Sequence, residues 1–306
     1  MWTLKLVPSK TEIGFIRHRG LAFLVSAILM VGSIGIFLTN GLNFGIDFKG
    51  GTLMEISSES DIDIAALRGQ LGGLNLGEVQ IQQFGTPNDA LIRVSDQVDA
   101  TSTQGGLNAV EVIRQDLEGQ FDIRRVEVVG PQVSSELIQT GIIAVLTAIA
   151  CMLIYIWFRF EWQFSVGAVM ALVHDVVLTI GIFSLLQLDF NLSILAAILT
   201  IVGYSMNDTV VVYDRVRENL RKFKKTELPV LLDVAINETL SRTVMTSVTT
   251  MLALIALYVL GGEVIRGFTF AMVWGVLVGT YSSIFIASPL LLFLGVKRDW
   301  SGNQSD

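Results

Sequence analysis

Residues 192–219 read LSILAAILTIVGYSMNDTVVVYDRVREN. From Leu192 to Tyr213 the stretch is apolar over the roughly 20 residues that a helix rising about 1.5 Å per residue needs to cross a bilayer core. It nevertheless carries an acid, Asp208, seven residues before the cation Arg215. At helical rise the carboxylate lies about 10 Å inside the bilayer edge marked by Arg215, too deep to snorkel out. An ionisable group in hydrocarbon costs about 2.5–3.5 kcal/mol on insertion scales, so such a residue is a functional candidate that needs polar shelter. Thr200, Tyr204 and Ser205 share its face at i−8, i−4 and i−3, and Asn207 adjoins it. That polar stripe is expected to point into a helix bundle.

Five further stretches have the same apolar length: Leu21 to Thr39, Leu137 to Trp157, Phe164 to Leu186, Thr243 to Leu260 and Phe268 to Leu292. The composition agrees, with 52% apolar and 16% charged side chains in 306 residues, against about 25% charged in soluble domains. A net charge of −7 and the absence of a basic stripe exclude a nucleic-acid binder. The lone Cys151 lies in an apolar run, where a buried packing role is expected. The first span reads as a retained signal anchor, since Thr39-Asn40-Gly41-Leu42 offers no small-residue cleavage site. Lys and Arg concentrate in residues 1–19, in the turn at Arg159, in 214–242 and in the tail. The positive-inside rule therefore places both termini in the cytoplasm, with 1–20 and 295–306 as cytoplasmic segments and 214–242 as a basic cytoplasmic loop. Spans two to six occupy 136–294.

Residues 40–135, with 14 acids against six bases, belong outside and are patterned as a domain. Thr52–Ile56 reads as a strand and Asp61–Leu71 as a helix with an acidic N-cap. Glu78–Phe84 and Ala90–Val94 read as strands around a turn at Gly85–Asp89, Gly106–Leu117 as a helix, and Phe121–Val129 as the last strand. The order βαββαβ predicts a ferredoxin-like α+β domain between the first and second spans of a six-helix membrane protein. Nothing in it suggests catalysis, a metal or a cofactor. A junction motif, Gly45-Ile46-Asp47-Phe48-Lys49-Gly50-Gly51, precedes it; by itself it reads as a turn-rich joint.

The other ionisable groups placed in the membrane are His174 and Asp175 in the third span and Arg242 at the start of the fifth, where Thr246 and Thr249 share its face. Asp208 and Arg242 are expected to face each other, the guanidinium holding the carboxylate until a proton arrives along the hydroxyls. The plainer alternatives are a static ion pair between two helices, or Arg242 as an interfacial anchor. His174 and Asp175 either carry protons or only pack. An aspartyl-protease dyad would need a Gly-x-Gly-Asp arrangement, which Ser205-Met206-Asn207-Asp208 does not supply.

The Gly45–Gly51 motif after the first span, the acidic domain, His174-Asp175, the string from Val202 to Asn219 and Ser241-Arg242-Thr243 together resemble the SecD/SecF family along nearly the whole chain. The SecF branch fits better, because SecD has a much larger extracytoplasmic region and a different fourth span. The resemblance implies an RND-like bundle in the bacterial inner membrane, a periplasmic domain and no enzymatic activity. It also implies proton-driven assistance to protein export. The implied partners are SecD, the SecYEG channel, SecA, YajC, YidC, unfolded secreted polypeptides and membrane lipid. Asp208 and Arg242 take the places of the family's proton-pathway acid and arginine, and a partner acid would come from SecD. An RND-type small-molecule exporter and a non-coupling scaffold are the competing readings.

Overall fold

The computed structural model describes residue 8 and residues 11–74, 76–77, 79–95 and 103–296, with only the backbone described over 103–108. Parts of the expected cytoplasmic segment 1–20, most of the tail 295–306 and the proposed strand start at Glu78 lie outside the described residues.

Among the described residues, six helical spans are long and apolar enough to cross a membrane. They are built on α1 (Arg19–Asn40), α5 (Pro131–Arg159), α6 (Trp162–Leu186), α7 (Leu192–Lys222), α8 (Leu228–Leu260) and α9 (Arg266–Ser282). The last continues through a π segment, Ser283–Ala287, into α10 (Ser288–Phe293). The spans through α6, α7 and α9 have half or more of their apolar window buried, whereas α1, α5 and α8 bury little of theirs. Leu24, Ile28 and Val31 on α1, Ile143 and Leu146 on α5, and Leu252 and Val259 on α8 point outward, as side chains solvated by lipid do. Cys151 is exposed on α5. The buried packing role expected for it fails because α5 touches the bundle chiefly through Ser134, Gly141 and Ile156.

Between α1 and α5 stands the α/β domain, reached through β1 (Asn43–Phe44) and a short helical turn, α2 (Ile46–Lys49). It comprises β2 (Gly51–Ser57), α3 (Ile64–Gly72), β3 (Val79–Phe84), β4 (Thr86–Val94), α4 (Thr103–Leu117) and β5 (Asp122–Val129). All pairings are antiparallel in the order β3-β4-β2-β5, which is the ferredoxin-like arrangement. Met54, Ile56, Ile81, Ile92 and Val94 on one sheet face bury against Leu67, Leu71, Ile113 and Leu117 of α3 and α4. Asp63 caps α3 through Ala65 N and Ala66 N. The opposite sheet face, including Leu53, Glu55 and Leu91, meets the membrane bundle across a cavity of about 630 Å3.

Two segments differ from the reading above. The turn expected over Gly85–Asp89 contracts to Gly85, at φ 77°, and Thr86–Asp89 join β4. The stretch 214–242 is not a loop. Helices α7 and α8 run on beyond their apolar parts and meet near Phe223–Glu227, because Leu231, Leu232, Ala235, Ile236 and Leu240 bury against Val216 and Leu220.

Asp89 ties the strands of the domain together. Its carboxylate accepts from the Thr86 hydroxyl at 2.7 Å and pairs with Arg124 at 3.0 Å. The Thr86 hydroxyl, then Ser57, and also Arg124 hold its carboxyl below the usual carboxylate range against the opposing effect of burial. A depressed carboxyl stabilises the fold above its unfolded value of about 3.9 and loses that contribution as pH falls toward the lower folded value. Asp89→Asn is therefore expected to lower domain stability by about 1 kcal/mol near neutral pH. In urea melts the gap to the parent protein should narrow progressively below about pH 4; a gap independent of pH would refute the assignment.

Candidate functional site

Helix α7 starts with Asn191 as its N-cap, the side chain accepting from Ile194 N at 3.1 Å, and carries Asp208 into the bundle among α6, α8 and α9. Asp208 is only 3% exposed. Its Oδ2 has no hydrogen-bond partner, and neither do the hydroxyls of Tyr204 and Thr243 or the indole nitrogen of Trp274. Tyr204 stands one helical turn before Asp208 on α7, and a buried polar atom without a partner, such as Asp208 Oδ2, is the kind of group that an ordered water satisfies. Arg242 lies exposed on α8, close enough to act on Asp208 through its charge. Among the described residues the two make no ion pair. Their expected direct contact is thus not formed. Thr246 and Thr249 turn their hydroxyls back onto carbonyls of α8, and Thr200 and Asn207 are exposed. Of the stripe read from sequence, Ser205 and Tyr204 stay with Asp208.

The structure gathers a second acid instead. Asp175 on α6 is fully buried. Its Oδ2 accepts from Ser205 Oγ of α7 at 2.5 Å and from Ser282 Oγ of α9 at 2.8 Å, and its Oδ1 lies 2.9 Å from His174 Nδ1. One carboxylate thereby ties together the three inner spans, and each bond offsets the cost of burying a polar group. The His174 ring lies 6.0 Å from the Tyr281 ring. The Tyr281 hydroxyl is 3.0 Å from Ser26 Oγ and 3.1 Å from Ala22 O on α1. Because Ser205 precedes Asp208 by one helical turn, the Asp175 network ends where the Asp208 environment begins. Ser26, Tyr281 and Ser282 were missed from sequence. The run Thr280-Tyr281-Ser282-Ser283 inside an apolar span was the available signal, since hydroxyls in lipid-embedded helices seek interhelical partners.

The junction motif connects the domain to this same helix. Asp47 Oδ2 accepts from Leu192 N, the first residue of α7, at 2.9 Å, and Gly45 N donates to Phe190 O at 2.8 Å. Strand β1 pairs in parallel with β6 (Asp189–Phe190) just before α7. Asp189 accepts from Asn43 at 2.7 Å and pairs with Arg93 of β4 at 2.9 Å. Phe44, Phe48 and Phe190 close over the joint with centroids 5.7 to 5.9 Å apart. Gly50 and Gly51 have φ of 74° and 120°, and a Cβ at Gly51 would collide with Val94 O. Only glycine lets the chain turn directly from α2 into the central strand there. The root of the domain is thus pinned to one end of α7, and Asp208 sits 16 residues, about 24 Å, further along.

Six apolar spans, a small ferredoxin-like domain fastened to the fourth, and carboxylates buried between spans define a polytopic membrane protein with ionisable groups enclosed in its bundle. Residues 109–297 match the family described as protein export membrane protein SecD/SecF, C-terminal, and residues 35–62 match the SecD/SecF GG motif. The protein translocase subunit SecF of Rhodobacter capsulatus is 47% identical over 309 residues, covering 97% of this chain and 93% of the relative. That of Rickettsia akari is 44% identical, covering 97% of both. The crystal structure of SecDF, a translocon-associated membrane protein from Thermus, superposes with a TM-score of 0.85 at 34% identity, over 96% of this chain and 40% of that one. The chain spans well under half of that solved SecDF chain. It belongs to the SecD/SecF family, in its SecF branch.

Proposed function

We propose that the chain is an accessory subunit of the Sec export machinery that acts with a SecD partner. Together they use the proton motive force to promote polypeptide translocation across the bacterial inner membrane and release on the outer side. The near full-length likeness to proteins named translocase subunit SecF supports the export role. The Thermus SecDF chain, in which the region like this one is 40% of the length, supports SecD as the missing remainder. The coupling rests on one observation: Asp208 is sheltered from lipid with a carboxylate oxygen unpartnered.

Protonating Asp208 cancels its attraction to Arg242 and changes the balance between α7 and α8. Asp47, Asp189 and the glycine turn pass any shift of α7 to the root of the α/β domain. Asp175 with Ser205, His174 and Ser282 would relay the proton or hold α7 against α6 and α9. The basic residues gather at the end of the bundle away from the domain, which supports cytoplasmic termini and a periplasmic domain. In this reading SecYEG, SecA, YajC and YidC are the surrounding machinery, unfolded secreted chains are the cargo, and no catalytic step falls to this subunit.

Affinity purification of the tagged chain from detergent-solubilised membranes should recover a SecD-type protein in near-stoichiometric amount. The pair, reconstituted with channel and motor, should raise export several-fold only when a proton gradient is imposed. Recovery of the chain alone, or stimulation that ignores the gradient, would contradict the proposal.

A further inference from the structure

Where α5 ends and α7 emerges from the apolar depth of the bundle, Arg159, Asp214, Arg217, Glu218, Arg221 and Lys222 line an open cavity of about 530 Å3. Four cations face two acids. Asp214 is paired with Arg159 at 2.7 Å, and Glu218 with Arg215, outside the cavity lining, at 2.8 Å. Arg217 donates to the Arg159 carbonyl at 3.1 Å and lies within electrostatic reach of the cations Arg159 and Arg221 and of the acids Asp214 and Glu161. The Arg159 and Arg217 guanidinium groups lie 4.9 and 5.5 Å from the Phe160 ring centroid, which fixes their direction. Like charges held this close, one pair at i and i+4 on α7, repel each other, and an anion entering the cavity reduces that repulsion.

The level of the cavity in the bilayer is marked independently. Trp157 and Phe158 immediately precede Arg159 and are 75% and 89% exposed, and Trp162 follows at 57%. Exposed tryptophan at the end of a span sits at the headgroup boundary. Below it the outward face of α5, with Ile143, Leu146 and Ile154, is apolar. A phosphate on an arginine fork above and acyl chains on an apolar helix face below is the pattern by which an anionic phospholipid is recognised.

We propose that this cavity is a binding site for the phosphate headgroup of an anionic phospholipid. A free inorganic anion shares the phosphate chemistry but has no use for the aromatic rim and apolar flank, so the lipid is the occupant. The site needs neither Asp208 nor the export reading.

The test is native mass spectrometry of the full chain in detergent, titrated with dioleoyl phosphatidylglycerol, with dioleoyl phosphatidylcholine and with inorganic phosphate. Phosphatidylglycerol should bind at least about ten-fold more tightly than phosphatidylcholine, since a surface cation contributes about a five-fold preference for anionic lipid. On the same scale Arg221→Gln with Lys222→Gln should weaken binding by about 25-fold, whereas Lys224→Gln with Lys225→Gln, outside the cavity, should cost less than about two-fold. Asp214→Asn, which frees Arg159, should tighten it. Should the double variant fail to fold by circular dichroism, Arg221→Gln alone decides, at about five-fold. Equal binding of both lipids, equal losses in the two double variants, or displacement of the lipid by millimolar phosphate would overturn the proposal.

Discussion

Asp208→Asn is expected to reduce the gradient-dependent part of protein export to the level seen without the subunit, with the amount of folded chain unchanged. Asparagine keeps the shape and the polar atoms of the side chain but cannot release and rebind a proton. A gradient of 100 mV supplies about 2.3 kcal/mol per proton carried across, and the variant forfeits all of it. Stability should stay within about 1 kcal/mol of the parent, because the carboxylate has an oxygen without a hydrogen-bond partner and its replacement leaves no partner stranded. Precursor translocation into inverted vesicles, with and without an uncoupler, measures this directly. An uncoupler-sensitive component of normal size in the variant would remove Asp208 from the mechanism.

Gly275→Val should have the largest effect on stability. Gly275 on α9 faces Ile201 on α7, and a Cβ there would collide with three atoms of that isoleucine. One turn on, a Cβ at Gly279 would come within 2.9 Å of Ser205 Cβ. Small residues at these two positions let the spans approach closely enough for Ser282 and Ser205 to reach the same oxygen of Asp175. A valine forces the helices apart, at a cost of about 3 kcal/mol, and lengthens both hydroxyl bonds. The melting temperature in detergent should fall by about 5–10 °C. Gly203→Val, on the exposed side of α7 with no atom within 4 Å of the new Cβ, should change it by less than about 2 °C. Equal effects would mean that α7 and α9 do not pack as described.

Much of this architecture could be read in the sequence, for physical reasons. Apolar runs of bilayer length are unambiguous for α1 and α5–α9, and the alternation in β3, the short strand-like runs of β2, β4 and β5 and the helical spacing in α3 and α4 are enough for the βαββαβ order. The limits fell where tertiary partners decide. Hydropathy marks where a helix leaves lipid, not where it ends, so α7 and α8 run through a stretch read as a loop. Asp208 was placed by its neighbours on one helix, but whether Arg242 closes on it depends on the rotation of α8, which a regular row of threonines does not reveal. Asp175 was singled out without its partners because Ser205 and Ser282 lie on two other spans. The glycine motif announced a turn. That Asp47 caps α7 across 145 residues of sequence follows only from the fold.

In the proposed mechanism the Asp208 carboxyl gains and loses a proton inside the folded bundle. Infrared difference spectroscopy of the subunit reconstituted with its SecD partner, recorded while the pH is stepped across the neutral range, reads that event as a carboxylic C=O stretching band. A protonation band that appears and disappears reversibly, and is absent in Asp208→Asn, is predicted. A spectrum identical in parent and variant would contradict it.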